Sequence, residues 1–326
     1  MNFSNQIFNI TSDKEFEHLA IQIFNYQYQT NQVYHNFCSL LKVKPTTVTS
    51  IEKIPFIPVE FFKSKQVISG DATFETIFLS SGTTGDNQSK HFVKDLKVYE
   101  QSFVKGFEEF YGQLTDYCFL ALLPSYLERE GSSLIYMTEY LIKHSNNPFS
   151  GFYLDNYDAL IKTLEKLKKQ PQKTILIGVS FALLDLAEKH QINLENIIIM
   201  ETGGMKGRRK EMTRTELHSI YKNRFNVKEI HSEYGMTELL SQAYSKGNGI
   251  FKTPNWMKIL IRESNDPFNI LSTNQTGGVN VIDLANYNSC SFIATQDLGK
   301  ILDDNSFEIL GRFDNSDLRG CNLLIQ

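Results

Sequence analysis

The sequence between Thr76 and Lys90 reads Thr-Ile-Phe-Leu-Ser-Ser-Gly-Thr-Thr-Gly-Asp-Asn-Gln-Ser-Lys. An apolar run ends here in a loop of hydroxyl side chains and glycines. Because glycine lacks a β-carbon, backbone N–H groups in such a loop can approach a polyphosphate closely. The hydroxyls add donors, and Lys90 adds a positive charge. The loop therefore indicates nucleotide binding, although similar loops also connect elements that bind nothing.

The spacing within this loop differs from that of the P-loop nucleoside triphosphatases. No Gly-Lys-Ser or Gly-Lys-Thr follows four residues after a first glycine. The sequence therefore disfavours a P-loop enzyme and leaves a different phosphate-binding loop open.

The composition is that of an ordinary globular protein. The chain has 326 residues, of which 41% are hydrophobic and 21% are charged, and its formal net charge is -4. This length suits one large α/β domain or two unequal ones. The only conspicuous basic cluster is short, at residues 206–210, which disfavours nucleic acid as the main partner.

The cysteines and the apolar runs indicate a reducing compartment. The four cysteines are too widely spaced for a structural zinc site and too few for a disulfide scaffold. The N-terminus lacks the pattern of a signal peptide, and no run of about 20 apolar residues predicts a membrane helix. We therefore expect reduced thiols, no membrane span and a cytoplasmic location.

Apolar runs and amphipathic segments alternate along the middle of the chain. Strands are predicted at residues 76–79, 118–123, 174–179 and 196–200. Helices are predicted at residues 91–112, 132–144, 155–169 and 180–190, the last with Ser180 as its N-cap. This alternation is typical of a parallel sheet covered by helices.

The two ends of the chain differ from the middle. Residues 13–41 predict one helix, and residues 44–70, which contain three prolines, predict irregular wrapping structure. From Trp256 onward, short apolar runs and tight turns predict strands. We expect an α/β fold with an N-terminal helical and wrapping segment at 1–75, an α/β nucleotide-binding core at 76–255, and a β-rich segment with a C-terminal tail at 256–326. The last segment is expected to belong to the same large domain.

Ligands of open α/β sheets sit at the carboxyl ends of the strands, where four loops here carry functional groups. These loops lie at residues 80–90, 124–131, 201–205 and 231–238. In the last loop, Tyr234 offers a ring that a purine can stack on, Thr237 a hydroxyl for a phosphate, and Glu238 an oxygen ligand for Mg²⁺.

Each of these residues also has a plain structural interpretation. Ser232 or Thr237 fits a helix N-cap, and Glu238 fits an acid in the first turn of that helix. Asp297, which precedes a glycine, can accept hydrogen bonds from both hydroxyls of a ribose or can be an ordinary turn aspartate.

Five motifs in chain order resemble those of the adenylate-forming superfamily of acyl- and aryl-CoA ligases. They are Ser-Ser-Gly-Thr-Thr-Gly from 80, Gly-Gly from 203, Tyr-Gly-Met-Thr-Glu from 234, Thr-Gln-Asp-Leu-Gly from 295 and Gly-Arg-Phe-Asp from 311. Three further motifs resemble the LuxE-type acyl-protein synthetases, which activate fatty acids. They are Pro-Ser-Tyr-Leu-Glu-Arg from 124, Ile-Gly-Val-Ser from 177 and Leu-Arg-Gly-Cys-Asn from 318.

The resemblance implies a role for each matched residue. ATP phosphates would be held by the first loop, at Ser80, Ser81, Gly82, Thr83, Thr84 and Gly85. Lys90 has no match in the family pattern, and its catalytic role near the phosphates rests on its charge alone. Adenine would be flanked by Gly203, Gly204 and Tyr234, and the ribose would be held by Asp297 and Arg312. Thr237 would contact the phosphate of the adenylate, and Glu238 would help to hold Mg²⁺. Cys321 would be the acylated nucleophile.

The resemblance also implies an activity and partners. A fatty or other carboxylic acid would be joined to AMP, transferred to Cys321, and passed to an acyl-accepting reductase. Two alternatives stay open. The acyl group is passed to CoA or a carrier protein instead, or the chain is a catalytically weak nucleotide-binding subunit.

The sequence departs from the superfamily in two respects. The chain ends twelve residues after Asp314, where superfamily members continue into a small mobile C-terminal domain that carries a catalytic lysine. We therefore expect that domain to be absent, which favours self-acylation over transfer to CoA. In the wider family a Pro-Lys pair follows the glycine more closely than Lys90 does, and Lys206 is another candidate for the missing positive charge.

Overall fold

The computed structural model describes residues 2–80, 88–123, 131–154, 156–203 and 212–313. In this part of the chain, twelve strands form one mixed sheet and a further pair forms a separate hairpin. The predicted α/β architecture, with a parallel sheet flanked by helices and a β-rich C-terminal segment, is confirmed. The strands of the large sheet come from all three predicted segments, and the boundaries between those segments stay predictions.

The strands follow one another in the large sheet in the order β11-β12-β13-β14-β10-β9-β8-β7-β6-β4-β5, with β1 paired to β13. Strands β4 to β8 pair in parallel, and the pairs from β8 to β11 are antiparallel. Their bounds are β1 Ile57–Pro58, β2 Thr76–Leu79, β3 Lys90–Val93, β4 Tyr117–Leu122, β5 Gly151–Phe152, β6 Lys173–Val179, β7 Ile197–Thr202, β8 His231–Tyr234, β9 Ala243–Ser245, β10 Ile250–Lys252, β11 Met257–Arg262, β12 Thr276–Asp283, β13 Phe292–Ile301 and β14 Phe307–Arg312.

Helices pack beside the parallel strands, with α6 on β4, α8 on β6 and β7, and α9 on α8. Their bounds are α1 Ser4–Ile7, α2 Asp13–Thr30, α3 Gln32–Leu40, α4 Phe61–Ser64, α5 Leu96–Tyr111, α6 Ser133–His144, α7 Tyr157–Leu167, α8 Ser180–Lys189 and α9 Arg214–Phe225. None of the described helices combines the length and apolarity that a membrane crossing requires.

The single helix predicted at residues 13–41 is broken at Asn31. This residue has extended backbone angles, ends α2 and starts α3. Its side chain accepts a hydrogen bond from the Tyr34 amide at 3.0 Å and donates one to the Ser289 carbonyl at 2.8 Å. A buried amide that caps one helix and binds a distant loop outweighs the continuous helical pattern of the sequence.

The helix predicted from residue 91 begins only at Leu96. Residues 90–93 instead form β3, which pairs antiparallel with β2. Asp95 caps the helix by accepting a hydrogen bond from the Lys97 amide at 2.9 Å. Strands β2 and β3, which flank the loop of hydroxyls and glycines in the sequence, therefore form a separate hairpin outside the parallel sheet in which β2 is predicted.

Two predicted loops are strands. Residues 231–234 form β8 beside β7, and Asp297 lies in the middle of β13, at a register shift between Leu298 and Gly299. Asp297 pairs with Arg312 of β14, and the adjacent Leu298 pairs with both β12 and β14, so Asp297 is a strand residue and not a turn residue.

A buried polar loop at residues 283–291 joins the N-terminal helices to the rest of the protein. Gln27 of α2 donates to the carbonyls of Asn286 and Tyr287 at 3.0 and 3.1 Å and accepts from the Ser291 amide at 3.1 Å. Ser69 donates from its hydroxyl to the Ser289 carbonyl at 2.7 Å. Because these groups are buried, each unpaired partner would cost free energy, and the loop is therefore held in one conformation.

Replacing Gln27 with leucine tests this loop. Gln27→Leu keeps the side-chain volume but leaves two carbonyls and an amide unpaired in the interior. We expect the free energy of unfolding to fall by about 1–3 kcal/mol, measured from urea denaturation.

The matched control is Gln22→Leu, on the exposed side of the same helix. It should change the free energy of unfolding by about 0.5 kcal/mol or less. Equal effects of the two substitutions would contradict the role given to Gln27.

Candidate active site

Ser80 and Ser89 close the loop end of the hairpin that β2 and β3 form; this pair of residues is called the hairpin base. The Ser80 amide donates to the Ser89 carbonyl at 3.1 Å, and the Ser89 amide donates to the Ser80 hydroxyl at 2.9 Å. The predicted phosphate contacts Ser81, Gly82, Thr83, Thr84 and Gly85 lie outside the described residues. Lys90 is exposed on β3, where it pairs with Leu79.

The first loop meets the end of the second at Gly131. The Leu79 amide donates to the Gly131 carbonyl at 2.8 Å. Gly131 has a φ of 78°, and a β-carbon there would lie 3.1 Å from the Ile77 carbonyl oxygen. The position therefore favours glycine, and this hydrogen bond brings the ends of the two predicted loops together.

Strand β3 also holds the segment that contains Thr237. The buried His91 contacts the Thr237 carbonyl through Nδ1 at 2.9 Å and the Ser289 hydroxyl through Nε2 at 2.8 Å. Burial lowers the pKa of His91 to about 4, so the ring is neutral near pH 7. Since a carbonyl only accepts, Nδ1 donates to Thr237 and Nε2 accepts from Ser289.

Glu238 is buried beside the base of the hairpin. Burial raises the pKa of its carboxyl, while a hydrogen bond from the Ser89 side chain and the charges of Arg312 and Lys63 oppose that rise. The Asn286 amide donates to the Glu238 carbonyl at 2.7 Å. No helix begins among residues 232–242, so the interpretation of Ser232 or Thr237 as a helix N-cap is wrong.

Tyr234, Asp297 and Arg312 form one hydrogen-bonded group. The Tyr234 hydroxyl donates to Asp297 Oδ2 at 2.7 Å, and Arg312 Nε donates to Asp297 Oδ1 at 3.0 Å. Asp297 is 5% exposed, whereas Arg312 is exposed. The three strands β8, β13 and β14 thus bring together residues that lie up to 78 positions apart in the sequence.

Gly203 is held by Ser180, whose hydroxyl also lies 3.3 Å from Glu201 Oε2. It is exposed, with a φ of 66°, and its carbonyl accepts from the Ser180 hydroxyl at 2.9 Å. Ser180 is the first residue of α8, and the N-cap position belongs to Val179, so the predicted cap is wrong because its hydroxyl serves the Gly203 loop instead. The predicted neighbour Gly204 lies outside the described residues.

Buried Glu201 anchors this support. It accepts from the Ser232 hydroxyl at 3.2 Å and lies 2.9 Å from His218 Nε2 and 3.4 Å from Arg214 Nε. A buried carboxylate with charged and hydroxyl partners is stable where an unpaired one would not be.

Sequence reasoning missed His91, Glu233 and Lys63. His91 lies in a segment with helical spacing, and its partners are distant in sequence. Glu233 lies inside the quoted motif region but faces away from Tyr234; it is buried and accepts a hydrogen bond from the Thr202 hydroxyl. Burial raises the pKa of Glu233 to about 7. Only its burial, which the sequence does not show, distinguishes it from a surface acid.

The described residues suit a nucleotide. An ionised carboxylate accepts about four hydrogen bonds, so Asp297 keeps room for ribose hydroxyls beside Tyr234 and Arg312. A β-carbon on Gly235 would meet Glu233 Oε1, so a side chain beside Tyr234 would require the Glu233 carboxylate to shift. Glu238 is one carboxylate, which suits Mg²⁺ bound together with phosphates.

The N-terminal third of the chain matches a known family. Residues 4–105 match the family model described as acyl-protein synthetase, LuxE. The LuxE-type resemblance is thereby confirmed. The matched segment includes Gln27, Asn31, Ser80 and His91, so it contains both the base of the hairpin and the contacts to the buried 283–291 loop.

Solved structures similar to this one are acyl-CoA ligases. The 2-hydroxyisobutyryl-CoA ligase in complex with 2-HIB-AMP and CoA matches with a TM-score of 0.67 and 13% identity, over 93% of this chain and 70% of that one. ATP-bound MatB from Rhodopseudomonas palustris matches with a TM-score of 0.52 and 16% identity, over 72% and 47%. The FadD1 long-chain-fatty-acid-CoA ligase from Archaeoglobus fulgidus matches with a TM-score of 0.52 and 14% identity, over 72% and 51%.

These likenesses establish the fold of the adenylate-forming enzymes for this chain. The chain spans about half the length of the MatB structures. No curated protein matches the sequence.

Glu233 gives the stability of the protein a pH dependence that can be measured. Its pKa is raised from an ordinary 4.5 to about 7, so its contribution is fully present below pH 4.5 and is lost as the pH rises through 7. Glu233→Gln removes this loss. Relative to the wild type, the variant should gain on the order of 3 kcal/mol between pH 4.5 and 8.

Urea denaturation of both proteins at several pH values measures this difference, with exposed Glu229→Gln as the control. A difference between Glu233→Gln and the wild type that stays constant with pH would contradict the assignment.

Proposed function

We propose that the protein activates a carboxylic acid, most simply a fatty acid, as an acyl-adenylate at the expense of ATP. It then transfers the acyl group to Cys321 and from there to a partner protein. The observation that carries the proposal is the convergence of the hairpin base, Thr237–Glu238 and the Tyr234–Asp297–Arg312 group around one site. Glu238 links these parts, since it binds Ser89 and lies within the field of Arg312.

The first step needs a concentration of positive charge and hydrogen-bond donors. The carboxylate oxygen of the acid attacks the α-phosphorus of ATP, the bond to the β-phosphate oxygen breaks, and pyrophosphate leaves. Donors from the hairpin loop, the Thr237 hydroxyl and Arg312 would stabilise the charge that develops on phosphate oxygens. Mg²⁺, held in part by Glu238, would neutralise further charge.

Asp297 and its neighbours would orient the nucleotide. Its carboxylate would accept from the ribose hydroxyls while Tyr234 and Arg312 fix its position. Adenine would lie between the ring of Tyr234 and the loop at Gly203–Gly204. Tyr234 is itself supported edge-on by Phe251 and Phe307, with ring centroids 6.1 and 6.0 Å away.

The second step moves the acyl group to sulfur. The thiolate of Cys321 attacks the acyl carbon, a carbon–sulfur bond forms, and the bond to the phosphate oxygen breaks to release AMP. The thiol proton goes to solvent or to a nearby base. The match of residues 4–105 to the acyl-protein synthetase family supports a protein acceptor over a small-molecule one.

A second acceptor has support from one comparison. The 2-hydroxyisobutyryl-CoA ligase, which resembles 93% of this chain, was solved with CoA. Transfer of the acyl group to CoA or to a carrier protein is therefore the alternative against which the cysteine is tested. A third possibility, a nucleotide-binding subunit with weak catalysis, predicts ATP binding without exchange.

ATP–pyrophosphate exchange, screened over carboxylic acids of different chain length and aromaticity, tests the activation step. Asp297→Asn should raise the KM for ATP by about tenfold, because the lost negative charge weakens both the Arg312 contact and the ribose contact. The KM for the acid should change little.

Asp303→Asn, at an exposed position after β13, is the matched control and should leave both constants unchanged. Exchange that no acid stimulates in the wild type, despite ATP binding, would favour the nucleotide-binding subunit.

Labelled fatty acid with ATP tests the acceptor. Cys321→Ala should abolish label on the protein yet keep ATP–pyrophosphate exchange within about twofold of the wild type, since the thiol acts only after activation.

Cys118→Ala is the control, because Cys118 is buried in β4 and should not affect labelling. Label on Cys321→Ala at the wild-type level would refute the cysteine as acceptor, and label transferred only to added CoA would support the alternative.

A further inference from the structure

A cavity lies beside β13, where Ala294, Thr295 and Gln296 line it. It has a volume of about 640 Å³, within the range of small-molecule sites, and an apolar wall formed by the wrapping segment and the end of the described chain. Aromatic and aliphatic side chains dominate this wall, among them Phe37, Phe56, Ile270 and Phe313. At its edge Phe268 is 63% exposed. None of the roles assigned above uses this space.

Several polar groups that line this cavity have protein partners. Arg262 donates to the carbonyls of Val279 and Thr295 at 2.8 and 2.6 Å, and Gln296 donates from its amide to Glu60. The Thr295 hydroxyl donates to the Val279 carbonyl at 2.9 Å. A ligand that depended on strong polar recognition would have to break these bonds, so the lining favours an apolar one.

The position of the cavity ties it to the chain that carries Cys321. Asp297 faces the nucleotide site, whereas Gln296, one residue earlier on β13, lines the cavity. Phe313 lines it too, directly after Arg312, and its amide donates to the Gln296 carbonyl at 2.8 Å. Cys321 follows Phe313 by eight residues. Eight residues span up to about 26–29 Å, so a group on Cys321 can reach the cavity mouth.

In the acyl-adenylate the chain would be held near Asp297 by its nucleotide. After transfer to Cys321 it would be free of the nucleotide and joined by eight residues to Phe313 in the cavity wall.

We propose that the cavity holds the hydrocarbon chain of the acyl group after its transfer to Cys321, which rests on the proposed function. Burial of the chain would keep it out of water and restrain the thioester until an acceptor protein docks. About 0.8 kcal/mol is gained per buried methylene, so a long chain would occupy the cavity and a short one would not.

Chemical loading of Cys321 tests the cavity without any adenylation. A methanethiosulfonate reagent with a long alkyl chain that ends in a dansyl group forms a disulfide with an accessible thiol and releases methanesulfinate. Cys38, Cys118 and Cys290 are buried, and Cys321→Ser measures any reaction with them. Dansyl emission should be blue-shifted, and iodide should quench it roughly tenfold less than in urea. Burial of about two methylenes already favours the bound state by roughly tenfold.

Two variants fill the cavity, and one matched variant does not. Ala294→Trp and Ile270→Trp place a large ring in the space and should restore quenching to the level seen in urea. Leu310→Trp, on the exposed side of β14 and 53% exposed, should keep the protection of the wild type. Thermal unfolding and circular dichroism of each variant verify that it folds.

Dye that is freely quenched in the wild type, or protected equally in all four proteins, would overturn the proposal. ATP–pyrophosphate exchange is measured separately on the unlabelled proteins. Absence of this exchange from the wild type would refute the proposed function. The dye measurement does not depend on adenylation and tests the cavity alone.

Discussion

The carboxylate of Asp283 is the interaction on which the rest of the structure depends. It is buried and accepts from the amides of Leu240 and Ser241 at 2.9 and 2.8 Å and from the Ser241 hydroxyl at 2.6 Å. The Ala285 amide is a fourth donor, at 3.1 Å. Burial raises the pKa of Asp283 to about 6, against these four donors that favour its ionised form. Because a buried carboxylate without donors is costly, the segment after Glu238 has one stable position.

This buried network holds the residues of the candidate site in place. Asn286 lies in the same loop as Asp283. Its side-chain amide donates a hydrogen bond to the Glu238 carbonyl, and its side-chain oxygen accepts one from the Leu240 amide at 3.0 Å. His91 then connects the loop, through Ser289, to the Thr237 carbonyl and the hairpin. The N-terminal helices, the hairpin and the β-rich segment all meet here, so side chains that would contact substrate are placed by residues that never touch it. Such support is what an electrostatic site requires, since its dipoles must be oriented before the charge develops.

The sequence predicted some parts of this arrangement because local patterns are sufficient for them. Long apolar runs gave β4, β6 and β7, and amphipathic spacing gave the helices between them. The predictions were wrong where distant contacts override a local preference. Asn31 breaks a continuous helical pattern, and residues 90–93 leave the helical pattern to pair with β2. Both outcomes depend on partners more than ten residues away.

By itself the sequence determined the fold class, the order of the motifs and the identity of the candidate residues, since these depend on periodicity and on side-chain chemistry. Only the tertiary structure decided which candidates meet. Tyr234, Asp297 and Arg312 come together because β8, β13 and β14 lie in one sheet, and Asp297 became a strand residue because its neighbours pair on both sides. Burial also decides the neutral state of His91, the raised pKa of Glu233 and the cavity beside β13. It is a property of the packed molecule that no local pattern encodes.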